Sequence, residues 1–202
     1  PLTNTMKISL IISYFLSATC YGASSPPNFW PLPQSVSLGS SSSAISSSAT
    51  FSYPTCDDDS TSRMSRAVSR YTSLLPTSAT GTITAVTITC DSSSSSLSYN
   101  TNSSYEIAAT PTSLTITSPT IYGAMYALET LSQITDNIPT PLKITDSPTY
   151  NHRALMLDTG RRFLPLPLIL TNLDAMAANK LNVLHLHFAD WCRFAIESTT
   201  FP

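Results

Sequence analysis

The feature that most constrains this chain is a strand–helix–strand pattern between residues 152 and 190. Two continuous apolar runs, at residues 154–158 (ALMLD) and 182–190 (NVLHLHFAD), have the composition of strands that are buried on both faces. Residues 165–179 between them predict a helix, with a buried stripe formed by Ile169, Leu173, Met176 and Ala177. A helix that connects two such strands is typical of a parallel βαβ unit.

Charged side chains gather where these two strands end. Asp158, Arg161 and Arg162 follow the first strand, and Asp190 closes the second. In parallel α/β folds, the carboxyl ends of the strands carry the functional site. The planar fork of Arg161 can hold two neighbouring hydroxyls or a carboxylate, and Asp190 can accept from hydroxyls, so the pair indicates a sugar-binding site. Two structural alternatives stay open: Asp158 caps its loop, or Arg161 forms an ion pair with Asp190.

The remaining polar residues of this region are interpreted as structural. Arg153 precedes the first strand, so we expect it at the opposite end of the unit or in an interface with the preceding domain. His185 and His187 lie on one face of the second strand and could hold a metal ion, but no third ligand is visible in the chain. We therefore interpret them as packed core histidines, and predict neither a metal nor a cofactor.

Residues 24–148 predict an α+β domain in which helices cover one face of a sheet. The alternating and apolar patterns place strands at residues 49–53, 82–90, 105–110 and 113–119, and helices at 60–75 and 121–134. Residues 141–146 are interpreted as a final short strand or a linker. The serine run at residues 40–48 predicts either a short hairpin loop or a flexible, O-glycosylated segment.

The N-terminal residues indicate secretion. Residues 6–23 combine one lysine, a short apolar core and small residues, which is the layout of a signal peptide, and residues 1–5 are interpreted as upstream, non-native sequence. Charged residues make up only 11% of the chain, and serine and threonine take their place. The net charge of −2 provides no basic surface for nucleic acid, and we expect no membrane contact once the signal is removed.

Two further features fit a protein of the secretory pathway, destined for an extracellular or a lysosomal or vacuolar compartment. A disulfide between Cys56 and Cys90 is expected there, which leaves Cys192 without an assigned partner. Asn102 begins the single glycosylation sequon, Asn102-Ser103-Ser104, in a polar stretch where a glycan can be attached.

The segment HRALMLDTGRRFLPLPLILTNLDAMAANKLNVLHLHFAD, with the FAIESTTFP that follows shortly after it, resembles the start of the catalytic barrel of the β-N-acetylhexosaminidases, glycoside hydrolase family 20. Residues 30–37 (WPLPQSVS) are similar to the opening of that family's N-terminal α+β domain. The stretch YGAMYALETLSQI resembles the helix that ends it, with Gly123, Glu129 and Gln133 in place. The resemblance implies an α+β domain at residues 24–148, followed at residues 149–202 by the first βαβ unit of a truncated (β/α)₈ barrel.

The resemblance also implies an activity for the full-length parent, which could be a dimer. Enzymes of this family remove terminal N-acetylglucosamine or N-acetylgalactosamine from glycans with retention, and the 2-acetamido oxygen of the substrate acts as the nucleophile. An Asp-Glu pair on a later strand orients the acetamido group and supplies the general acid. No catalytic residue of that kind lies within this chain, so we expect the 202 residues alone to be inactive.

Two residues carry over from the family motif. Arg161 matches the arginine that holds ring hydroxyls of the terminal sugar, and Asp190 matches the first aspartate of an Asp-Asp pair that supports the sugar site. The chain departs from the motif at four places, which are Ala154, Gly160, Arg162 and Trp191-Cys192. The alternative function is a carbohydrate-binding pseudo-enzyme that keeps the sugar site and lacks the chemistry.

Overall fold

The structure, a computed structural model, describes residues 28–56, 62–94, 96–191, 193–194 and 196–200. The predicted signal peptide at residues 6–23 lies outside the described residues, and so does Cys192. None of the three helices in the described part of the chain combines the length and apolar composition that crossing a membrane requires.

The first part of the chain forms a mixed seven-stranded sheet with two helices. The strands are β1 (Ser35–Ser43), β2 (Ile45–Ser52), β3 (Thr77–Ser78), β4 (Ile83–Ser92), β5 (Tyr105–Ala109), β6 (Ser113–Thr120) and β7 (Ile138–Asp146), and the helices are α1 (Arg63–Thr72) and α2 (Ile121–Ser132). Their order across the sheet is β1-β7-β5-β6-β4-β2-β3. This confirms the predicted α+β class, the β5–β6 hairpin and both helices, and it makes residues 141–146 part of a strand rather than a linker.

The sequence predicted a hairpin loop or a flexible segment for the serine run at residues 40–48, and this prediction is wrong. The run forms the end of β1 and the start of β2, which are separated only by Ala44. β1 pairs with β7 and β2 pairs with β4, and these two partners lie on opposite sides of the β5–β6 hairpin. The extended segment from Ser35 to Ser52 therefore crosses from one flank of the sheet to the other.

The core of this domain lies between one face of the sheet and the two helices. Buried residues alternate along β5, β6 and β7, so each of these strands buries one face and exposes the other. The apolar stripe predicted for α1 is confirmed, since Met64, Val68 and Tyr71 are buried. Helix α2 approaches the residue before β5 so closely that a Cβ atom at Gly123 would clash with the carbonyl oxygen of Ser104.

The predicted disulfide between Cys56 and Cys90 is present. It joins the residue that follows β2 by a short turn to the end of β4, and both cysteines are buried in the core. The bridge closes a sequence separation of 34 residues, so it restricts the unfolded chain well beyond the local turn.

The second part of the chain is the predicted βαβ unit. It consists of β8 (Ala154–Asp158), α3 (Leu166–Ala178) and β9 (Val183–His187), and β8 and β9 pair in parallel from Ala154 with Val183 to Asp158 with His187. A short antiparallel pair, β10 (Ala189–Asp190) and β11 (Arg193–Phe194), follows. The predicted strand at 182–190 is thus divided, and Asp190 lies just beyond the end of β9.

The expectation that β8 and α3 are buried is wrong for the residues described. Ala154 and Met156 are exposed on β8, and Met176 is the only buried side chain on α3, although Ile169, Leu173 and Ala177 were expected to join it. The apolar pattern correctly predicted a strand and a helix. Burial requires a covering layer of other elements. The described residues provide no such layer over the exposed apolar residues of β8 and α3.

Two cations at the amino ends of β8 and β9 attach this unit to the α+β domain. Arg153 donates from Nη2 to the hydroxyl of Tyr126 on α2 at 3.0 Å, which places it in the expected interface. The Lys180 ammonium is buried and donates to the hydroxyls of Tyr105 and Thr130, both at 2.7 Å, and to Asp146 Oδ2 at 3.2 Å. All three N–H groups of the Lys180 ammonium therefore donate to the α+β domain.

The backbone of Lys180 is adapted to this contact. Lys180 has φ 55° and follows the last turn of α3, where its N–H donates to the Ala177 carbonyl and the Leu181 N–H donates to the Met176 carbonyl. Glycine usually occupies this left-handed position after a helix. Burial is the largest effect on the Lys180 pKa and lowers it from its ordinary value, while the Asp146 carboxylate opposes that lowering.

Trp30, which precedes β1, contacts the same interface. The indole N–H of Trp30 donates to Asn179 Oδ1 at 2.7 Å. The side chain of Gln133 binds both backbone groups of Trp30, accepting from its N–H at 2.7 Å and donating to its carbonyl at 2.6 Å. Residues from the start of the α+β domain, from the end of α2 and from the end of α3 thus meet at one place.

Candidate functional site

The sequence predicted a site at the carboxyl ends of the two parallel strands, and the structure brings its residues together there. Asp158 is the last residue of β8, Arg161 follows in the next turn, and Asp190 lies just after β9. The Arg161 guanidinium lies between the two carboxylates. Its Nη1 is 3.0 Å from Asp158 Oδ2, and its Nε is 3.0 Å from Asp190 Oδ2.

The three side chains differ in exposure. The side chain of Arg161 is 65% exposed, whereas those of Asp158 and Asp190 are 22% and 37% exposed. The carboxylates therefore form the inner part of the site, and the arginine extends over them toward solvent. Such exposed ion pairs contribute little to stability on their own, typically ~0.2–1 kcal/mol, so this arrangement is not explained by a need to hold the fold together.

The turn between Asp158 and Arg161 is fixed from both sides. The backbone N–H groups of Thr159 and Gly160 both donate to the carbonyl of His187, at 3.0 and 3.1 Å, and so attach the turn to the end of β9. The Arg161 N–H donates to Asp158 Oδ1 at 2.9 Å. A Cβ atom at Gly160 would lie 3.0 Å from the Phe188 carbonyl oxygen, so the close approach of the two loops favours glycine there.

The electrostatics of the site favour a negative charge on Asp158. The hydrogen bond from the Arg161 backbone N–H is the largest effect and lowers the pKa of Asp158 from its ordinary value, and the guanidinium of Arg161 lowers it further. The lowered pKa favours the ionised form of Asp158, which accepts hydrogen bonds and donates none.

Both structural alternatives raised by the sequence are present. Asp158 caps the loop through the Arg161 N–H, and Arg161 forms an ion pair with Asp190. Neither contact excludes sugar binding, because the guanidinium carries five N–H donors and a carboxylate has several lone pairs. The roles of Arg161 and Asp190 in binding a sugar remain predictions.

The other polar residues of the region lie around this group. Arg162 is exposed, and Trp191 is fully exposed with φ 34°. The interpretation of the histidines as packed core residues is wrong for the described chain: His185 is exposed, His187 is half-buried, and neither imidazole forms a hydrogen bond to a described residue. Both lie on the same face of β9, because one residue separates them along the strand, and His187 pairs in register with Asp158 of β8. The described residues also contain no cluster of three metal-ligating side chains.

Sequence reasoning gave one residue of the site too small a role and missed one residue of the interface. Asp158 was placed at the strand end but interpreted only as a loop cap, although its spacing of three residues from Arg161 is a signal that the two side chains can meet. Lys180 was not singled out, because a lysine after a helix is usually solvated and only tertiary structure shows that this one is buried.

Asn102 is exposed in the segment before β5, and its Oδ1 accepts from the Ser104 N–H at 3.0 Å. The side-chain nitrogen that a glycan would occupy has no hydrogen-bond partner among the described residues. Glycosylation at Asn102 remains a prediction.

The structure thus combines a mixed α+β domain with a parallel βαβ unit that carries an arginine and two aspartates at the carboxyl ends of its strands. Comparison with known families identifies the class of protein as the glycosyl hydrolases. Residues 150–202 match the family described as glycosyl hydrolase family 20, catalytic domain, and residues 73–134 match the family described as beta-acetyl hexosaminidase like.

The chain belongs to glycosyl hydrolase family 20. It is 31% identical to beta-hexosaminidase 1 of Arabidopsis thaliana over an alignment of 228 positions, which covers 96% of this chain and 42% of that protein. It is 48% identical to beta-hexosaminidase subunit beta of Mus musculus over 88 residues, 41% of this chain and 16% of that one. The chain therefore spans less than half the length of these curated relatives.

Solved structures show the same fold. The chitobiase of Flavobacterium johnsoniae superposes with a TM-score of 0.70 at 25% identity, covering 85% of this chain and 28% of that one. The beta-N-acetylhexosaminidase of Bacteroides fragilis gives a TM-score of 0.64 at 19% identity, covering 86% and 35% of the two chains.

Proposed function

We propose that the whole protein is a retaining exo-β-N-acetylhexosaminidase, which removes terminal N-acetylglucosamine or N-acetylgalactosamine from glycans by substrate-assisted catalysis. The observation that carries the proposal is the Arg161 guanidinium, held between Asp158 and Asp190 at the carboxyl ends of two parallel strands in a chain of this family. In this proposal, residues 149–202 begin a (β/α)₈ barrel. The exposed apolar residues of β8 and α3 support it, since a barrel would cover them.

The part of Arg161 in this reaction is binding. A planar guanidinium can donate two charge-assisted hydrogen bonds to adjacent hydroxyls of a sugar ring, each contributing roughly 1.5–3 kcal/mol. Asp190 accepts from Arg161 Nε and presents its carboxylate beside it, so it supports the same site. Nucleophilic attack belongs to the 2-acetamido oxygen of the substrate, and proton transfer to the leaving group belongs to the family's Asp-Glu pair, which these 202 residues do not supply.

The cellular context follows from the same proposal. A signal sequence at residues 6–23 would direct the protein into the secretory pathway, toward an extracellular or a lysosomal or vacuolar compartment, where the Cys56–Cys90 disulfide is stable and Asn102 can carry a glycan. The partner is a glycan with a terminal N-acetylhexosamine.

The test compares two arginine substitutions in the whole protein with a chromogenic N-acetylglucosaminide. Arg161→Lys keeps the charge and loses the planar fork, so kcat/KM should fall by about two to four powers of ten. Arg162→Lys, the matched control, should change it by less than about tenfold. Equal losses with folding intact would show that Arg161 is not the sugar-binding arginine.

Two further outcomes decide between enzyme and pseudo-enzyme. Turnover by the whole protein supports the hydrolase, and saturable sugar binding without turnover supports a carbohydrate-binding pseudo-enzyme. The 202-residue chain alone should show no turnover above a heat-killed control, and measurable turnover would contradict the assignment of the acid to a later strand.

A further inference from the structure

We propose that Asp158 is a positioning residue for Arg161: its two carboxylate oxygens hold the backbone and the guanidinium of the arginine at once and thereby set the direction of the sugar-binding side chain. This inference deepens the proposed function and rests on it for its effect on catalysis.

The geometry of the turn carries the first step. Asp158 Oδ1 accepts from the Arg161 N–H at 2.9 Å, and Asp158 Oδ2 accepts from Arg161 Nη1 at 3.0 Å. The two contacts are made by two different oxygens of one carboxylate. Asp158 therefore holds both the backbone and the guanidinium of Arg161. Rotation of the guanidinium away from the strand end would break the second contact while leaving the first in place.

The second step is that Asp158 is itself fixed. It is the last residue of β8 and is paired in register with His187 of β9, and its side chain is less exposed than that of Arg161. The turn that follows it is attached to the His187 carbonyl by two backbone N–H groups, and Gly160 lies in close contact with Phe188. A carboxylate on a rigid strand end is therefore the reference point, and the exposed arginine is the group that it orients.

The third step concerns what orientation contributes. A long, exposed arginine samples many rotamers, and ordering it on binding costs side-chain entropy. Asp190, which follows β9, contacts Arg161 Nε. The two carboxylates together therefore hold two different nitrogens of the guanidinium. An arginine ordered before the sugar arrives does not pay that cost during binding. The lowered pKa of Asp158 agrees with this arrangement, because the carboxylate stays charged.

The experiment is a double-substitution cycle in the whole protein. Asp158→Asn retains an oxygen for the Arg161 N–H and removes the charge that faces the guanidinium. We expect it to lower kcat/KM for a chromogenic N-acetylglucosaminide by about tenfold to a hundredfold. In an Arg161→Lys background, the same substitution should lower it by less than about threefold, because its effect passes through the arginine. Equal losses in both backgrounds, or no loss in either, would overturn the proposal.

Two variants serve as controls. Asp174→Asn makes the same chemical change on the exposed face of α3 and should leave kcat/KM unchanged. Asp158→Glu keeps the carboxylate and should retain more activity than Asp158→Asn, and the opposite order contradicts positioning by charge. Thermal unfolding of each variant separates a loss of orientation from a loss of folding.

A readout that does not depend on turnover separates this inference from the proposed function. In ¹⁵N-labelled protein, hydrogen exchange of the Arg161 Nε–H should be several-fold faster in Asp158→Asn than in the unsubstituted protein, and unchanged in Asp174→Asn. Faster exchange in an inactive protein would leave the positioning role standing and reject the hydrolase. Unchanged exchange in an active protein would reject the positioning role and leave the hydrolase standing.

Discussion

The α+β domain and the βαβ unit are built from similar apolar segments, yet only the first encloses a core. Seven residues are buried on α2: Ile121, Gly123, Ala124, Ala127, Leu128, Thr130 and Leu131. On α3, which is also rich in leucine and alanine, only Met176 is buried. The difference lies in what packs on each helix, because α2 lies on a sheet face and the described residues leave most of α3 uncovered. An apolar composition predicts that a helix face will be buried, but it does not show which element packs on that face.

The contacts between the two regions are of a different kind from those within the α+β domain. The domain interior is held by apolar packing, whereas the βαβ unit is attached through directional polar contacts from Arg153, Lys180 and Trp30. Polar contacts of this kind fix an orientation more strictly than apolar packing does, since each has a preferred distance and angle. They lie at the amino ends of β8 and β9, opposite the site at their carboxyl ends.

The largest expected effect comes from breaking the buried anchor. Lys180→Met removes the ammonium that faces Asp146, whose side chain is only 14% exposed, and leaves that carboxylate buried without its cation. We expect the free energy of unfolding to fall by about 3–5 kcal/mol. Denaturant unfolding of the 202-residue chain, with hydrogen exchange at β8 and β9, measures the loss.

A matched control is available in the α+β domain. Lys143 forms an ion pair with Glu106 at the same distance, 3.2 Å, but the two side chains are 61% and 40% exposed. Lys143→Met should therefore cost no more than about 1 kcal/mol. If the two lysine substitutions destabilise the chain equally, the burial of Lys180 does not account for the attachment of the βαβ unit.

The next effect in size is expected from the disulfide, which acts within the closed domain. Replacing both Cys56 and Cys90 with alanine should lower the free energy of unfolding by about 3–4 kcal/mol, because the unfolded chain regains the freedom of a loop that spans 34 residues. Denaturation of the variant and of the oxidised chain measures this difference. Adding a reductant should lower the stability of the oxidised chain and leave the variant unaffected, and an identical midpoint for both chains would count against the bridge.

The smallest effect is expected on the open unit. Leu170 on α3 is 50% exposed and Leu128 on α2 is fully buried. Leu128→Ala should cost about 2–5 kcal/mol, whereas Leu170→Ala should stay within about 0.5 kcal/mol in this chain. Thermal and denaturant unfolding of both variants tests the comparison directly. A large loss from Leu170→Ala would mean that α3 is covered in solution by something that the described residues do not show.

Local patterns predicted most of the secondary structure because they depend on neighbours in sequence. The stripe of α1, the alternation of the β5–β6 hairpin and the apolar run of β8 each identify an element by the spacing of a few side chains. The same spacing placed Asp158, Arg161 and Asp190 at adjacent strand ends once the strands were known to be parallel. The family resemblance then gave the arginine a specific role to test.

Features that depend on distant partners were not predictable in this way. The serines of β1 and β2 carry no strong strand signal, and their conformation is set by pairing with β7 and β4. Lys180 occupies a left-handed position that usually belongs to glycine, and the reason is a carboxylate and two hydroxyls on other elements. In both cases tertiary contacts override local preference.

The path of β1 and β2 through the sheet has a consequence for how the protein is made. β1 is the first strand to emerge during synthesis, but its partner in the sheet is β7, so Ser35 meets Thr145 only after the other strands of the sheet have been translated. Such distant pairing makes closure of the sheet slow, and a strand that waits for its partner is exposed to pairing with other chains. In β1, serines alternate with Val36 and Leu38 and then follow one another to the end of the strand. Their hydroxyl groups bind water and offer little apolar surface to another chain. A strand of this composition is a poor template for pairing with other chains, so we expect the unpaired β1 to stay hydrated until β7 has been translated.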